Sequence, residues 1–208
     1  MKRIDFKREM KKIYFPGPRD PELVTVPAMN FLMIDGEGDP NTTDAYQAAI
    51  EALYTVSYAL KFAIKYSSQR IDYIMLPLET LWWADDMAAF ELERRDEWKW
   101  TAMIRQPELI SGGMVTEILD DVRVKKNPPS LELVRFESFQ EGECVQIMHI
   151  GPYSTERPTV KKLHSFATEN NYKQRGKHHE IYLSDVRRTN PESLKTVIRR
   201  PVAPSQEN

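Results

Sequence analysis

The chain repeats itself. The run IRQP at 104–107 returns as IRRP at 198–201, and both close an extended stretch. A glycine turn at Gly36 has its counterpart at Gly151, each directly ahead of a helical pattern. Gly36 to Pro107 spans 71 residues and Gly151 to Pro201 spans 50, so the first copy is longer by 71 − 50 = 21 residues. That excess falls in a longer helix and in an inserted hairpin, LETLWW…EWKW. Each half reads strand, helix, strand, strand. One helix over one sheet face buries little alone, so two halves are expected to pair through their sheets around a shared core. The expected class is α+β with antiparallel sheets, and the pseudo-twofold seam is where a ligand groove is expected.

Residues 1–22 are basic and then proline-rich, with Pro16, Pro18 and Pro21 around Gly17, and read as an arm. Residues 23–208 read as one domain: repeat one at 23–107, a linking helix at 111–125 and repeat two at 131–201. Leu23–Ile34 is the first expected strand. Asn41 or Thr42 can cap a long helix on which Tyr46, Ala49, Ile50, Leu53, Val56, Ser57, Leu60 and Ile64 recur at helical spacing. A strand over Ile71–Leu78, broken by Pro77, and a protruding hairpin complete the first copy. The linking helix carries Met114, Ile118 and Val122 on one face. In the second copy, strands over Leu131–Phe139 and Glu143–Ile150 flank the turn QEGE. A helix with Val160, Leu163 and Ala167 follows, then strands at 176–183 and 194–200, the last ending at Pro201.

Composition narrows the function classes. Apolar residues make up 41% of the chain, enough for a core, and the formal charge of -2 argues against a dedicated nucleic-acid binder. One cysteine, Cys144, excludes an internal disulfide framework and fits a reducing compartment. No apolar run approaches the ~20 residues of a membrane span, and the N-terminus lacks the apolar core of a secretory signal. A soluble, cytoplasmic protein without a membrane partner is expected. The four histidines have no metal-ligand spacing, and no phosphate-cradling glycine motif or nucleophile elbow is present, so neither metal nor cofactor is expected.

Three groups of residues could carry chemistry. Trp82, Trp83, Trp98 and Trp100 are all the tryptophans of the chain and lie on the two arms of the hairpin. They could be core, or a wall for a planar ligand. Glu180 sits mid-strand in HHEIYLS, with His178 and Tyr182 on its face and His179 on the other. It could be a solvated strand residue, or a general base or acceptor for a cation in the groove. In the groove, partial desolvation would raise its pKa toward neutrality, with tyrosine hydrogen bonds opposing. Tyr153, after the Gly151-Pro152 turn, could be a packing residue or a hydrogen-bond donor into the groove.

The motifs VPAMNFLMIDGEGDPN, LPLETLWW, WTAMIRQPELI, HIGPYS and HHEIYLSDVRRTNPESLKTVIRRPV, in that order from Leu23 to Val202, resemble the GyrI-like small-molecule-binding family. The resemblance extends to its stand-alone branch that includes cyclopropanoid cyclopropyl hydrolases. It implies duplicated strand-helix-strand-strand (SHS2) units with a ligand groove between them. It also implies a planar aromatic or cationic small molecule as partner. Glu180 matches the pocket glutamate of the family's effector domains. In the hydrolase branch, which opens the strained ring of DNA-alkylating compounds as detoxification, the resemblance points to Glu180, Tyr153 and Trp100, with Tyr182 as a second tyrosine. No DNA-binding domain accompanies it here. The alternatives are a module that sequesters planar or cationic drugs (multidrug binding), an interaction protein that inhibits gyrase, and, more weakly, haem binding as in the related SOUL proteins.

Overall fold

The computed structural model describes residues 2–86 and 94–205. Its strands are β1 Lys2–Ile4, β2 Glu22–Val26, β3 Met29–Glu37, β4 Ile71–Tyr73, β5 Leu78–Trp83, β6 Lys99–Gln106, β7 Arg135–Phe139, β8 Gly142–Ile150, β9 Tyr172–Gln174, β10 His178–Tyr182 and β11 Lys195–Pro204. Three longer helices, Asp44–Tyr66, Gly112–Lys125 and Arg157–Glu169, join them. The fold is α+β, and among the described residues no helix is long and apolar enough to cross a membrane. The tip of the expected hairpin, 87–93, lies outside the described residues.

The chain divides into two compact units. The first holds the residues up to Glu9 and Met29–Phe139; the second holds Met10–Ala28 and the residues from Gln140 onward. In the first, the antiparallel order is β5-β6-β3-β7. In the second it is β10-β11-β8-β2. Strand, helix, strand, strand therefore recurs with one topology: β3, helix, β5, β6 and β8, helix, β10, β11.

Each sheet takes its fourth strand from the segment just ahead of the other copy. β2 precedes β3 in sequence yet pairs with β8, and β7 precedes β8 yet pairs with β3. This corrects two expectations. The strand expected over 23–34 breaks at Pro27, because its two pieces belong to different sheets. The strands around QEGE do not fold back on each other, and Leu131–Leu133 is a 3-10 turn. The stretch 71–78 breaks between Tyr73 and Leu78, around Pro77 as expected. β4 pairs in parallel with β1 of the arm, while β5 belongs to the main sheet, so LETLWW and KWTAMIRQ are the last two strands of the repeat rather than an insertion. β11 runs past Pro201 to Pro204 because its neighbour changes from β10, which ends opposite Arg199, to β9, which begins opposite Val202.

The helix Asp44–Tyr66 buries Tyr46, Ala49, Ala52, Leu53, Val56, Ser57, Leu60 and Ile64, the face expected from its spacing except that Ala52 takes the place of Ile50. It lies on the sheet face bearing Thr80 and Gln106: the Tyr46 and Thr80 hydroxyls are 2.7 Å apart, and Gln106 donates to Ser57 at 3.1 Å. The helix Gly112–Lys125 begins at Ser111, whose hydroxyl accepts from the Met114 amide, and buries Val115 and Val122. In the second unit Val145, Ile147, Leu163, Ala167, Ile198 and Val202 form the core beneath the helix Arg157–Glu169, with Val160 packed against them.

Candidate functional site

Glu180 lies in β10, opposite Ile198 of β11. Since Ile198 belongs to the core under the helix Arg157–Glu169, Glu180 is on the helix-covered face of its sheet. Its side chain is 16% exposed. Alternation along the strand brings His178 and Tyr182 beside it. The Tyr182 hydroxyl donates to Oε2 at 2.7 Å, and Nε2 of His178, as an N–H, donates to Oε1 from 3.0 Å. The strand's other face carries His179, which pairs with Glu141. The divergence of the two histidines expected from alternation is therefore real.

The Gly151 turn delivers two more groups. Gly151 has φ 135°, a left-handed value that favours glycine, and a Cβ there would stand 3.1 Å from the Thr155 hydroxyl. His149 braces the turn, with Nδ1 2.9 Å from the Thr159 hydroxyl and Nε2 3.3 Å from the Pro152 carbonyl. Tyr153 leaves this turn and sets its ring edge-on to Tyr182, centroids 5.6 Å apart. Burial, and then the charges of Glu156 and Glu180, push its phenol up to about 12, so it stays a neutral donor. Glu156, at the entrance of the helix, is 7% exposed, and its Oε1 is buried with no hydrogen-bond partner among the described residues.

The two carboxyl groups differ in proton affinity. Burial first, then the charge of Glu180, drive Glu156 far above the carboxylate range. Burial pushes Glu180 the same way, but the hydrogen bond and charge of His178 and the Tyr182 hydroxyl outweigh it and hold Glu180 below its ordinary value. The surroundings thus favour the carboxylate at Glu180 and the acid form at Glu156. Desolvation therefore does not raise Glu180 toward neutrality as the sequence suggested; the raised carboxyl is its neighbour. Glu156 escaped the sequence reading because GPYSTERP looks like an ordinary polar helix entrance. The available signal was a carboxylate three residues after Tyr153, on the turn already singled out.

The tryptophans belong to the first unit. Trp82 and Trp100 face each other across β5 and β6 and are 5% and 1% exposed. Tyr46 of the long helix lies against both, with ring centroids 5.4 and 5.0 Å away. Trp98 meets Trp82 edge-on at 5.8 Å and, like Trp83, is only partly buried. Trp82 and Trp100 are thus packed in core beside the helix, and Trp83 and Trp98 are the partly accessible pair.

A second polar cluster lies on the opposite face of the second sheet. Arg199 donates to Glu141 at 2.9 Å, to Gln146 and to the Ile13 carbonyl, and Gln146 donates to the Lys12 carbonyl and to Glu22. Arg199 is 0% exposed. This network ties residues 12–22 to the sheet. Cys144 is buried, and desolvation raises its thiol pKa, leaving an inert thiol. Among the described residues no group of three His, Cys, Asp or Glu side chains could hold a metal ion.

Residues 19–203 match the GyrI-like small molecule binding domain. A conserved protein of Listeria innocua of uncharacterised function is 42% identical in its crystal structure, over 96% of this chain and all of that one, with a TM-score of 0.88. Two hydrolase structures from the same organism are 41% and 40% identical, cover 97% and 96% of this chain and all of their own, and have TM-scores of 0.87 and 0.84. No curated protein matches the chain significantly. With the profile matched over most of its length and these close structural relatives, the chain belongs to the GyrI-like small-molecule-binding family.

Proposed function

We propose that this protein is a cofactor-free hydrolase of small molecules in which Glu180 is the base and Glu156 the acid. The feature that supports it best is the pair itself: two buried carboxyl groups whose surroundings drive their proton affinities apart, the arrangement that separates a base from an acid. Similarity to two proteins called hydrolases, at about 40% identity, points the same way.

The substrate class follows from the resemblance to cyclopropanoid hydrolases. Water attacks a carbon of the strained ring and gives its proton to Glu180. The ring C–C bond breaks, and its electron pair moves through the conjugated system onto a carbonyl oxygen. The Tyr153 phenol donates a hydrogen bond to that oxygen as charge develops, and the Glu156 proton neutralises it. The proton gained by Glu180 then passes to Glu156, which restores both groups. The net change is addition of one water. Tyr182 positions Glu180 through its hydroxyl.

A second reading is binding without turnover. The Tyr153 and Tyr182 rings beside an ionised, partly exposed carboxylate would suit a planar cation. Incubation with a spirocyclopropyl substrate in ¹⁸O-labelled water separates the two. The hydrolase reading expects an adduct of one labelled water by mass spectrometry; bound but unchanged substrate favours sequestration.

A further inference from the structure

The helix Asp44–Tyr66 carries a second row of large side chains, on the side away from its core face. Tyr54, Tyr58, Phe62 and Tyr66 stand four residues apart, so their rings stack one above the next. Successive centroids are 6.2, 6.3 and 6.1 Å apart, with planes tilted by 31°, 26° and 14°. The row begins at the half-buried Tyr54 and opens outward: Tyr58 is 44%, Phe62 43% and Tyr66 76% exposed. Other positions make the buried face of this helix, so packing within the unit does not account for the row. An aromatic side chain presents ~150–250 Å², so the three exposed rings leave on the order of 300 Å² in water. That is roughly half of the ~600 Å² that each side buries in a small specific interface.

The charges along the row are sorted by sign. Glu51, three residues before Tyr54 and on the same side of the helix, is exposed. At the other end Lys61 and Lys65 share a single carboxylate, Asp72, at 3.2 and 2.9 Å, and the exposed Arg70 follows the last turn. A row that is acidic at one end and basic at the other is complementary to its own reverse. From these observations we infer that the row docks a second copy of this chain, the two helices antiparallel about a twofold axis at its middle. Tyr58 of each copy then packs on Phe62 of the other, Tyr54 on Tyr66, and Glu51 approaches Lys65 and Arg70. Such a contact is self-complementary and closed, the side chains four apart forming the ridge that settles into the facing groove. The modest area makes the pair a reversible one. The inference goes beyond the hydrolase reading and does not depend on turnover.

Sedimentation velocity of the full chain over a range of about 1–500 μM tests it, and a monomer–dimer equilibrium with Kd on the order of 10–100 μM is expected. Tyr58→Ser and Phe62→Ser should each weaken the dimer at least about tenfold, with the circular dichroism spectrum of the monomer kept. Glu51→Lys should weaken it about fivefold at low salt, and adding Arg70→Glu to that variant should restore most of the loss. A monomer at every concentration overturns the second copy as occupant and leaves the row to a different protein. A dimer undiminished in both serine variants overturns the site. A loss in Glu51→Lys that the double variant does not recover overturns the antiparallel arrangement.

Discussion

The Tyr182 hydroxyl donates to Oε2 of Glu180 at 2.7 Å, two residues along the same strand. That bond helps keep a mostly buried carboxylate ionised against desolvation. A hydrogen bond to a charged group is worth ~1.5–3 kcal/mol, which corresponds to about one to two pH units. Tyr182→Phe should therefore move the acid limb of the kcat/KM profile to higher pH by about that much. The limb is the ionisation of Glu180, so removing a donor that favours the carboxylate must raise it. An unmoved limb would detach Glu180 from the profile.

The Arg199 cluster makes a stability prediction. Burial opposes ionisation of Glu141, but the charges of His179 and Arg199 and their hydrogen bonds bring it from 4.5 to about 2. A depressed carboxyl contributes stability above its unfolded pKa and loses that contribution as pH falls through its folded value. Urea midpoints should thus drop between about pH 4.5 and 2, and Glu141→Gln should flatten the drop. Arg199→Met leaves the buried Glu141 with His179 as its remaining charged neighbour and should cost ~3–5 kcal/mol at pH 7.

Gly36 lies opposite Trp100 across β3 and β6. A Cβ at 36 would stand 2.2 Å from the indole ring, and the neighbouring ring of Tyr46 limits retreat. Gly36→Ala should destabilise the protein by ~1–3 kcal/mol, read as a fall in Tm. An unchanged Tm would mean that the indole moves freely.

Of the four tryptophans, only Trp83 and Trp98 are partly exposed. Acrylamide should quench these two and leave the fluorescence of Trp82 and Trp100 largely intact. A planar ligand held against the aromatic pair should protect the quenchable fraction. Equal quenching of single-tryptophan variants at all four positions would contradict the buried placement.

The duplication was legible because IRQP and IRRP sit at the same place in both copies, and periodicity named most buried positions of the helix Asp44–Tyr66, though in Gly112–Lys125 it named Met114 and Ile118, which are only partly buried, and missed Val115. The strand exchange was not. Pairing of β2 with β8 and β7 with β3 joins residues more than a hundred positions apart, and nothing local to Glu22–Val26 or Arg135–Phe139 encodes a partner. The same limit hid Glu156. Its neighbours in sequence are polar, and its acidity is set by Glu180, 24 positions later. His178 and Tyr182 were legible as companions of Glu180 because strand alternation is a local rule. Which of two carboxyls holds the proton depends on burial and contact, which alternation does not specify.

The central claim is that Glu180 and Glu156 act as base and acid. The most direct test is single-turnover kinetics of Glu180→Gln and Glu156→Gln on a spirocyclopropyl substrate, with affinity measured in parallel for a neutral and a cationic planar ligand. The account predicts a loss of ~100-fold or more in rate for each variant, with neutral-ligand affinity retained. Wild-type rates in both variants, or a loss confined to affinity for the cation, would contradict it.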